Sequence, residues 1–545
     1  MAGVDVALGI AGVGVALPAL AEIAVRYGRF VVSKYSTLKD GQAEHDTQRL
    51  LVKLHWDEIQ ATILFFARSC DRFDSTVRDL VEAHLQILLK KFEVVILNLQ
   101  KNIRPDNEIR RLRYAVFGKN ILEDLIADLE KWQTRFLQYL QLITFTGHRL
   151  IEPDSPAADL AEKAPSLKAF TKLQDLSVVG QGHHVAPDPP KEHDYPDSQA
   201  KPLRCCNVLM FPRPPTSTSA STIDLVDRRY YDKDQDNVDY IRQIVRQTAR
   251  ILSAADPEAM GILPCRGFIH RPHLSRFDLV LSLPSTTTTY PRSLRDLLTD
   301  PIHGGHASHS LSERLFFAKK LASAVFYMHT SKLVHKNIRP ETILVLPATP
   351  TTLSTTSSDP SASQMQRQGK AAFFPYALGR PVLVGFDNVR QVELDWASKR
   401  NGTLSWEEDV YQHPSRHGAT AAKYYSVQHD VYSLGVVLIE IAMWQSFIVF
   451  DKEMQDFRPN VALWGKAGSK VEGLKTGESG AGEGVMAHLE KLARLEVPIV
   501  MGDKYRKVIL SCLGGIGEQG EETDDVELGV RFIQTVLEDL EDISI

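Results

Sequence analysis

Apolar residues recur along the first 148 positions at helical spacing. Val81, Leu85, Leu88, Phe92, Val95 and Leu99 alternate steps of four and three, and the same alternation joins Leu125, Leu129, Trp132, Phe136, Tyr139 and Ile143. That spacing lays one apolar stripe along a helix, which partner helices must cover. A third stripe runs through Leu50, Leu54, Ile59, Ile63 and Phe66, and the charge-free run VALGIAGVGVALPALA (Val6–Ala21) supplies a fourth. Pro105-Asp106 marks a turn between two of the stretches. The pattern predicts an all-α, four-helix-bundle-like domain over residues 1–150. The initial run is shorter than the roughly 20 apolar residues of a bilayer-spanning helix, and it carries Pro18. No basic region precedes it, which argues against a secretory signal. Two readings stay open, a buried first helix and a segment that inserts into membranes conditionally; Ala7, Gly12 and Ala16 are small enough for close packing in lipid.

Periodicity then stops. Residues 151–202 are polar and Pro-rich and read as a linker, with room for a brace helix over 158–176. From 203 to 545 the pattern mixes strands and helices. A strand is predicted over 221–231, an amphipathic helix over 237–255 and two strands around a turn over 261–284. Helices follow near 292–298 and at 312–329. The Ser/Thr/Pro-rich run over 347–370 reads as a disordered insertion. GLKTGESGAGEG (473–484) reads as a mobile loop, and it lacks the Gly-Lys-Ser/Thr of a Walker A motif.

Composition narrows the classes further. At 545 residues the chain exceeds one hydrophobic core. A net charge of −5 gives no electrostatic case for nucleic acid. The five cysteines (Cys70, Cys205, Cys206, Cys265, Cys512) show no metal-ligand spacing and fit a reducing, cytoplasmic compartment. No metal site is expected.

Three motifs then occur in order. LVHKNIRPETILV (333–345) resembles the protein-kinase catalytic loop, and PVLVGFDNVR (381–390) resembles the magnesium-binding strand with its Asp-Phe-Gly turn. HDVYSLGVVLIEI (429–441) resembles the long buried helix of the kinase large lobe, and Tyr411-Gln-His-Pro414 resembles the Ala-Pro-Glu end of an activation segment. The resemblance covers residues 203–545 and implies an α+β bilobal protein-kinase-like fold, making the whole chain multidomain. It implies structural roles for His335 and Phe386 in the packing spine and for Asp430 under the catalytic loop, with Pro414 at the segment end.

The chemistry departs from the resemblance. Phosphoryl transfer needs a carboxylate to accept the hydroxyl proton, and an Asp and an Asn to hold magnesium. Asn337 stands at the position of the catalytic Asp, and an amide is no base near neutral pH. Arg339 replaces the loop lysine, Thr342 the magnesium-binding Asn, and Gly385 the magnesium-binding Asp. Asp387 comes two positions late; in an extended segment it would face the same side, about 6–7 Å further on. No Gly-x-Gly-x-x-Gly precedes the first strands of this region, where the phosphate-covering loop belongs. Arg228 or Arg229 takes the place of the nucleotide-binding lysine, the helix over 237–255 offers no glutamate partner, and Leu283 falls in the hinge. The expectation is a pseudokinase whose nucleotide cleft, if used, is bounded by Arg228, Arg229, Leu283, Gly385 and Asp387 and binds ATP without efficient magnesium binding.

A glycine-rich apolar start, a helical bundle, a brace-like linker and a pseudokinase together resemble mixed lineage kinase domain-like proteins. The N-terminal region resembles the HeLo and HeLo-like domains of fungal cell-death and incompatibility proteins. The resemblance implies a signalling switch in which the bundle is released, self-associates or meets an upstream protein partner, and brings residues 1–25 to membrane lipids. The chain would then be cytoplasmic and recruited to membranes on activation. Two alternatives remain open: an active or residually active Ser/Thr kinase, and a catalytically inert scaffold.

Overall fold

The computed structural model describes residues 17–36, 43–102, 111–144, parts of 160–171, 190–213, 222–284, 290–300, 309–347, 374–391, 405–417, 425–516 and 525–543, apart from single positions inside these ranges. The chain divides into two compact units, Met1–Val178 and Val179–Ile545.

The first unit is all-α. Helices α1 (Leu17–Ser36), α2 (Ala43–Ser69), α3 (Ser75–Asn102) and α4 (Arg111–Thr144) form it. α1 packs on α2 and α3, and α4 closes the other side against both. The α4 stripe is buried from Leu125 to Ile143, as are Val81, Leu85, Leu88 and Phe92 of α3. On α2 the stripe differs from the one expected. Leu50 and Leu54 are 57% and 55% exposed, while Val52 and Trp56 are buried. The core line is therefore Val52, Trp56, Ile59, Ile63 and Phe66, which keeps the 4-3-4-3 step that Leu50–Leu54–Ile59 breaks. Gly28 lets α1 approach α2, since a Cβ there would lie 2.0 Å from the Trp56 ring. Leu160, Ala164, Leu167 and Phe170 are buried at helical spacing, and the Phe170 ring meets Phe65 at 5.5 Å. Of the initial apolar run only Leu17 onward is described. Residues 6–16 and the Pro105-Asp106 turn lie outside the described residues. Among the described residues no helix is long and apolar enough to cross a membrane.

The second unit is α+β. Strands β1 (Lys201–Pro202), β2 (Leu209–Arg213), β3 (Thr222–Tyr230), β4 (Cys265–Arg271) and β5 (Arg276–Ser282) form an antiparallel sheet of order β1-β2-β3-β5-β4. Helix α5 (Val238–Leu252), capped by Asn237, crosses from β3 to β4 and packs on β4. The unit begins inside the stretch expected as linker: Tyr195 is 2% exposed, in a cluster with Phe211, Val226, Ile269 and Val280.

The rest of the unit is mainly helical. β6 (Arg292–Ser293), α6 (Leu294–Thr299) and α7 (Leu311–Thr330) lead to β7 (Leu333–Val334), and β8 (Ile343–Leu346) pairs with β6 and β9 (Arg380–Leu383). β10 (Arg390–Gln391) returns to β7. α8 (Val427–Met443) is buried along nearly its whole length, against α7 and α11 (Val497–Gly514). Insertion residues 348–373 lie outside the described residues.

The stretch 473–484 is not the loop expected. It holds the end of α9 (Gly468–Thr476) and the start of α10 (Ala481–Leu495), with only 477–480 between them. Gly477 and Gly480 turn the chain at φ +70° and +80°. Gly482 serves packing: a Cβ there would lie 2.5 Å from His417 Nδ1.

Candidate functional site

The site is built on β3 and on two turns beneath it. Alternation along β3 puts Asp227 and Arg229 on one face and Arg228 on the other. Asp227 is 3% exposed, and its Oδ2 accepts the amide hydrogens of Gly385 and Phe386 at 2.7 and 2.6 Å. Burial, then the nearby Asp387 carboxylate, push its pKa up to about 7 against those two bonds. Arg229 donates to Val389 O at 2.9 Å. Arg228 is paired with Asp197 and Arg229 is engaged with Val389 O, so neither arginine offers an unengaged, lysine-like cation to the space below β3.

The 335–342 turn hangs on Asp430. Its carboxylate accepts from His335 N (2.7 Å), Lys336 N (2.9 Å) and Tyr425 Oη (2.7 Å), with His329 Nε2 3.2 Å away. Burial alone would raise its pKa, but His329, His335 and Tyr425 hold it below the usual carboxylate range. His335 Nε2 donates to Val384 O at 3.0 Å and its ring packs on Phe386. Burial lowers its pKa below the ordinary imidazole value. Lys336, in the left-handed region at φ +66°, lies over the Tyr425 ring. Burial, then Arg390, Arg416 and Arg229, push its pKa down to about 8.

A cavity of about 360 Å³ opens between these elements, lined among others by Cys206, Asp227, Arg228, Asn337, Glu341, Thr342, Gly385 and Asp387. Its chemistry is that of hydrogen bonds already made. Thr342 Oγ1 donates to Asn337 O at 2.6 Å and accepts from Arg339 N at 3.2 Å, so its hydroxyl holds the turn. Asn337 Nδ2 donates to Asp387 Oδ1, and Asn388 Nδ2 to Asp387 Oδ2, each at 3.2 Å. Asp387 reaches the cavity from a 3-10 turn, Phe386–Asn388, and not along the extended segment expected. Gly385 has φ +84°, and a Cβ there would lie 2.5 Å from Thr342 Cγ2. An aspartate at that position is excluded in this conformation.

The cavity thus gathers Arg228, Asn337, Thr342, Gly385 and Asp387 of the expected residues, with His335, Phe386 and Asp430 behind them. Arg339 turns to Glu408 (3.2 Å). Leu283 is buried, with its amide on Ile223 O, and does not line the cavity. Pro414 opens a 3-10 turn away from it. Sequence reasoning missed two residues. Glu341 is held by Arg295 through two bonds, at 3.0 and 3.2 Å. Asp227 had a signal: two positions from the core residue Leu225, it puts a carboxylate on a buried strand face, which is costly unless the group is hydrogen-bonded. Among the described residues no cluster of His, Cys, Asp and Glu fits a metal ion. No protein-family model and no curated protein matches this chain.

Proposed function

We propose that the second unit is a kinase-like, bilobal domain without phosphotransfer chemistry, and that it regulates the helical unit, which acts on membranes as a cell-death effector. The observation that carries the first half is the cavity under β3. Where phosphoryl transfer requires a base, a cationic clamp and metal ligands, the chain has an amide (Asn337), a buried carboxylate (Asp227), a hydroxyl engaged in its own turn (Thr342) and a glycine with no room for a side chain (Gly385). The antiparallel sheet with the long helix α5 between its third and fourth strands, and the turn suspended from Asp430, support the kinase-like reading. The test is a thermal-shift titration of the full chain with ATP, with and without magnesium, followed by phosphotransfer to a generic Ser/Thr substrate. The expected result is no magnesium-enhanced shift and no transfer. Transfer abolished by Asp387→Asn would overturn the proposal.

The membrane half rests on the four-helix unit behind a charge-free N-terminal run. Residues 1–178 should release dye from anionic vesicles, and Gly12→Glu should abolish release. A fragment that is folded by circular dichroism yet inert on vesicles would count against it.

A second reading has one observation in its favour. Asp387 presents a carboxylate to the cavity with two neutral amides donating to it, as a residually active kinase would need. The Asp387→Asn assay decides between the two.

A further inference from the structure

Residues 190–199 run across the outer face of the five-stranded sheet, and side chains hold them there. The Tyr195 ring packs on Phe211 at 5.5 Å, between Val226, Ile269 and Val280, and its hydroxyl donates to Asp224 Oδ2 at 2.7 Å. Arg271, itself 5% exposed, donates to Glu192 Oε1 at 2.9 Å and to Tyr195 O at 2.6 Å, while its Nε is held by Asp278 at 2.7 Å. Arg276 donates to Asp197 at 2.7 Å, and Arg228 pairs with the same carboxylate. Gly267 is bare where Pro190 crosses it, since a Cβ there would lie 2.8 Å from the proline ring.

Backbone pairing contributes differently. The amides of Asp194, Tyr195, Gln199 and Ala200 donate within the segment, to Lys191, Glu192, Pro196 and Asp197. The segment is therefore not a strand of the sheet, and lifting these residues away breaks no ladder bond. What it occupies is an apolar slot for one aromatic ring, with arginines that read a carboxylate three residues before it and another two residues after. Side-chain pockets of this kind give sequence specificity, and charge-assisted hydrogen bonds from arginine favour carboxylates.

We propose that this face is a peptide-docking groove for an acidic, tyrosine-bearing segment, filled here by the chain's own residues 190–199 and open to the same segment of a second copy. Charge complementarity carries the choice of occupant: Glu192, Tyr195 and Asp197 match Arg271, the slot and Arg276 one for one. Pro- and Gly-rich sequence of linker type precedes the segment (180–190), and exchange of an identical element between copies is a low-cost route to self-association.

The test uses the full chain carrying Tyr195→Ala and Asp197→Ala, and a fluorescent peptide of residues 188–201 as probe. Anisotropy should show the peptide binding this variant at least about tenfold more tightly than the native chain, whose groove is filled. Binding should fall by about tenfold or more when the peptide carries Tyr195→Ala or the variant chain also carries Arg271→Gln. Hydrogen exchange of β3 and β5 amides reports whether the sheet survives. Equal binding to native and variant chains, or no binding with the sheet protected, overturns the proposal. So does loss of sheet protection in the variant, because the segment would then be inseparable from the core.

Discussion

Asp227 turns its carboxylate toward two amide hydrogens and away from water, and that choice has a pH signature. Its pKa in the folded chain, about 7, lies above the ordinary value of 3.8. Below pH 4 both states are protonated and folding carries no penalty from this group. As pH rises from 4 through 7 the unfolded chain ionises first, so stability falls, by at most about 4 kcal/mol. Glu440, also pushed up to about 7, acts in the same window, so the test is a difference. Buried histidines whose pKa is lowered, His429 and His335 among them, act the other way in that window, so between pH 5 and 7.5 the denaturant midpoint of Asp227→Asn should fall less, or rise more, than that of the native chain. Identical slopes would remove the assignment. Gly385→Ala meets both an unfavourable φ and the Thr342 methyl, and should cost about 2–4 kcal/mol. Adding Thr342→Ser, which removes the methyl and keeps the hydroxyl, should restore about 1 kcal/mol in a double-mutant cycle. Asn337, Thr342, Gly385 and Asp387 were legible because a motif fixes their order. Asp227 was legible only in part: its spacing from Leu225 is a signal, but which of three consecutive polar residues faces inward depends on the register of β3 with β5, set by pairing across about 50 residues.

Elements with unbroken periodicity were legible to within a few residues, as with α5 and α7, whose caps Asn237 and Ser310 stand beside the first apolar positions. α2 was located but its face was misjudged, because two periodic lines compete near its start and only packing against α1 and α4 selects between them. Glycine-rich sequence misled at 473–484, where its function is close approach and tight turning. Gly28 makes the same point within the helical unit. Gly28→Leu should push α1 from α2, lower the melting midpoint by several degrees, and shift Trp56 fluorescence to the red. Unchanged Trp56 emission in a folded variant would show that the contact does not set the helix spacing.

At the scale of the whole molecule, the division into an all-α part and an α+β part was legible from the change in periodicity near 150. The point where the second unit begins was not. KEHDYPDSQAKP has linker composition, and its membership of the core depends on one aromatic ring and on arginines that lie 30–80 residues later. The buried network around Arg295 is likewise invisible in sequence. It joins Glu341, Tyr411, Ser446 and, at 3.6 Å, Glu440. Arg295→Met should strand two carboxylates and destabilise the second unit by about 3–5 kcal/mol in urea melts; a smaller loss at pH 6 than at pH 8 would follow from Glu440 taking up a proton. The left-handed turn at Gly385 also bears on redesign of the chain. An acidic side chain there needs a different backbone conformation and a smaller neighbour at 342 at the same moment. A side chain added at 385 alone meets the Thr342 methyl and an unfavourable φ, and should yield a less stable protein. A designer who wants a carboxylate at this position would therefore have to rebuild the turn before adding the charge.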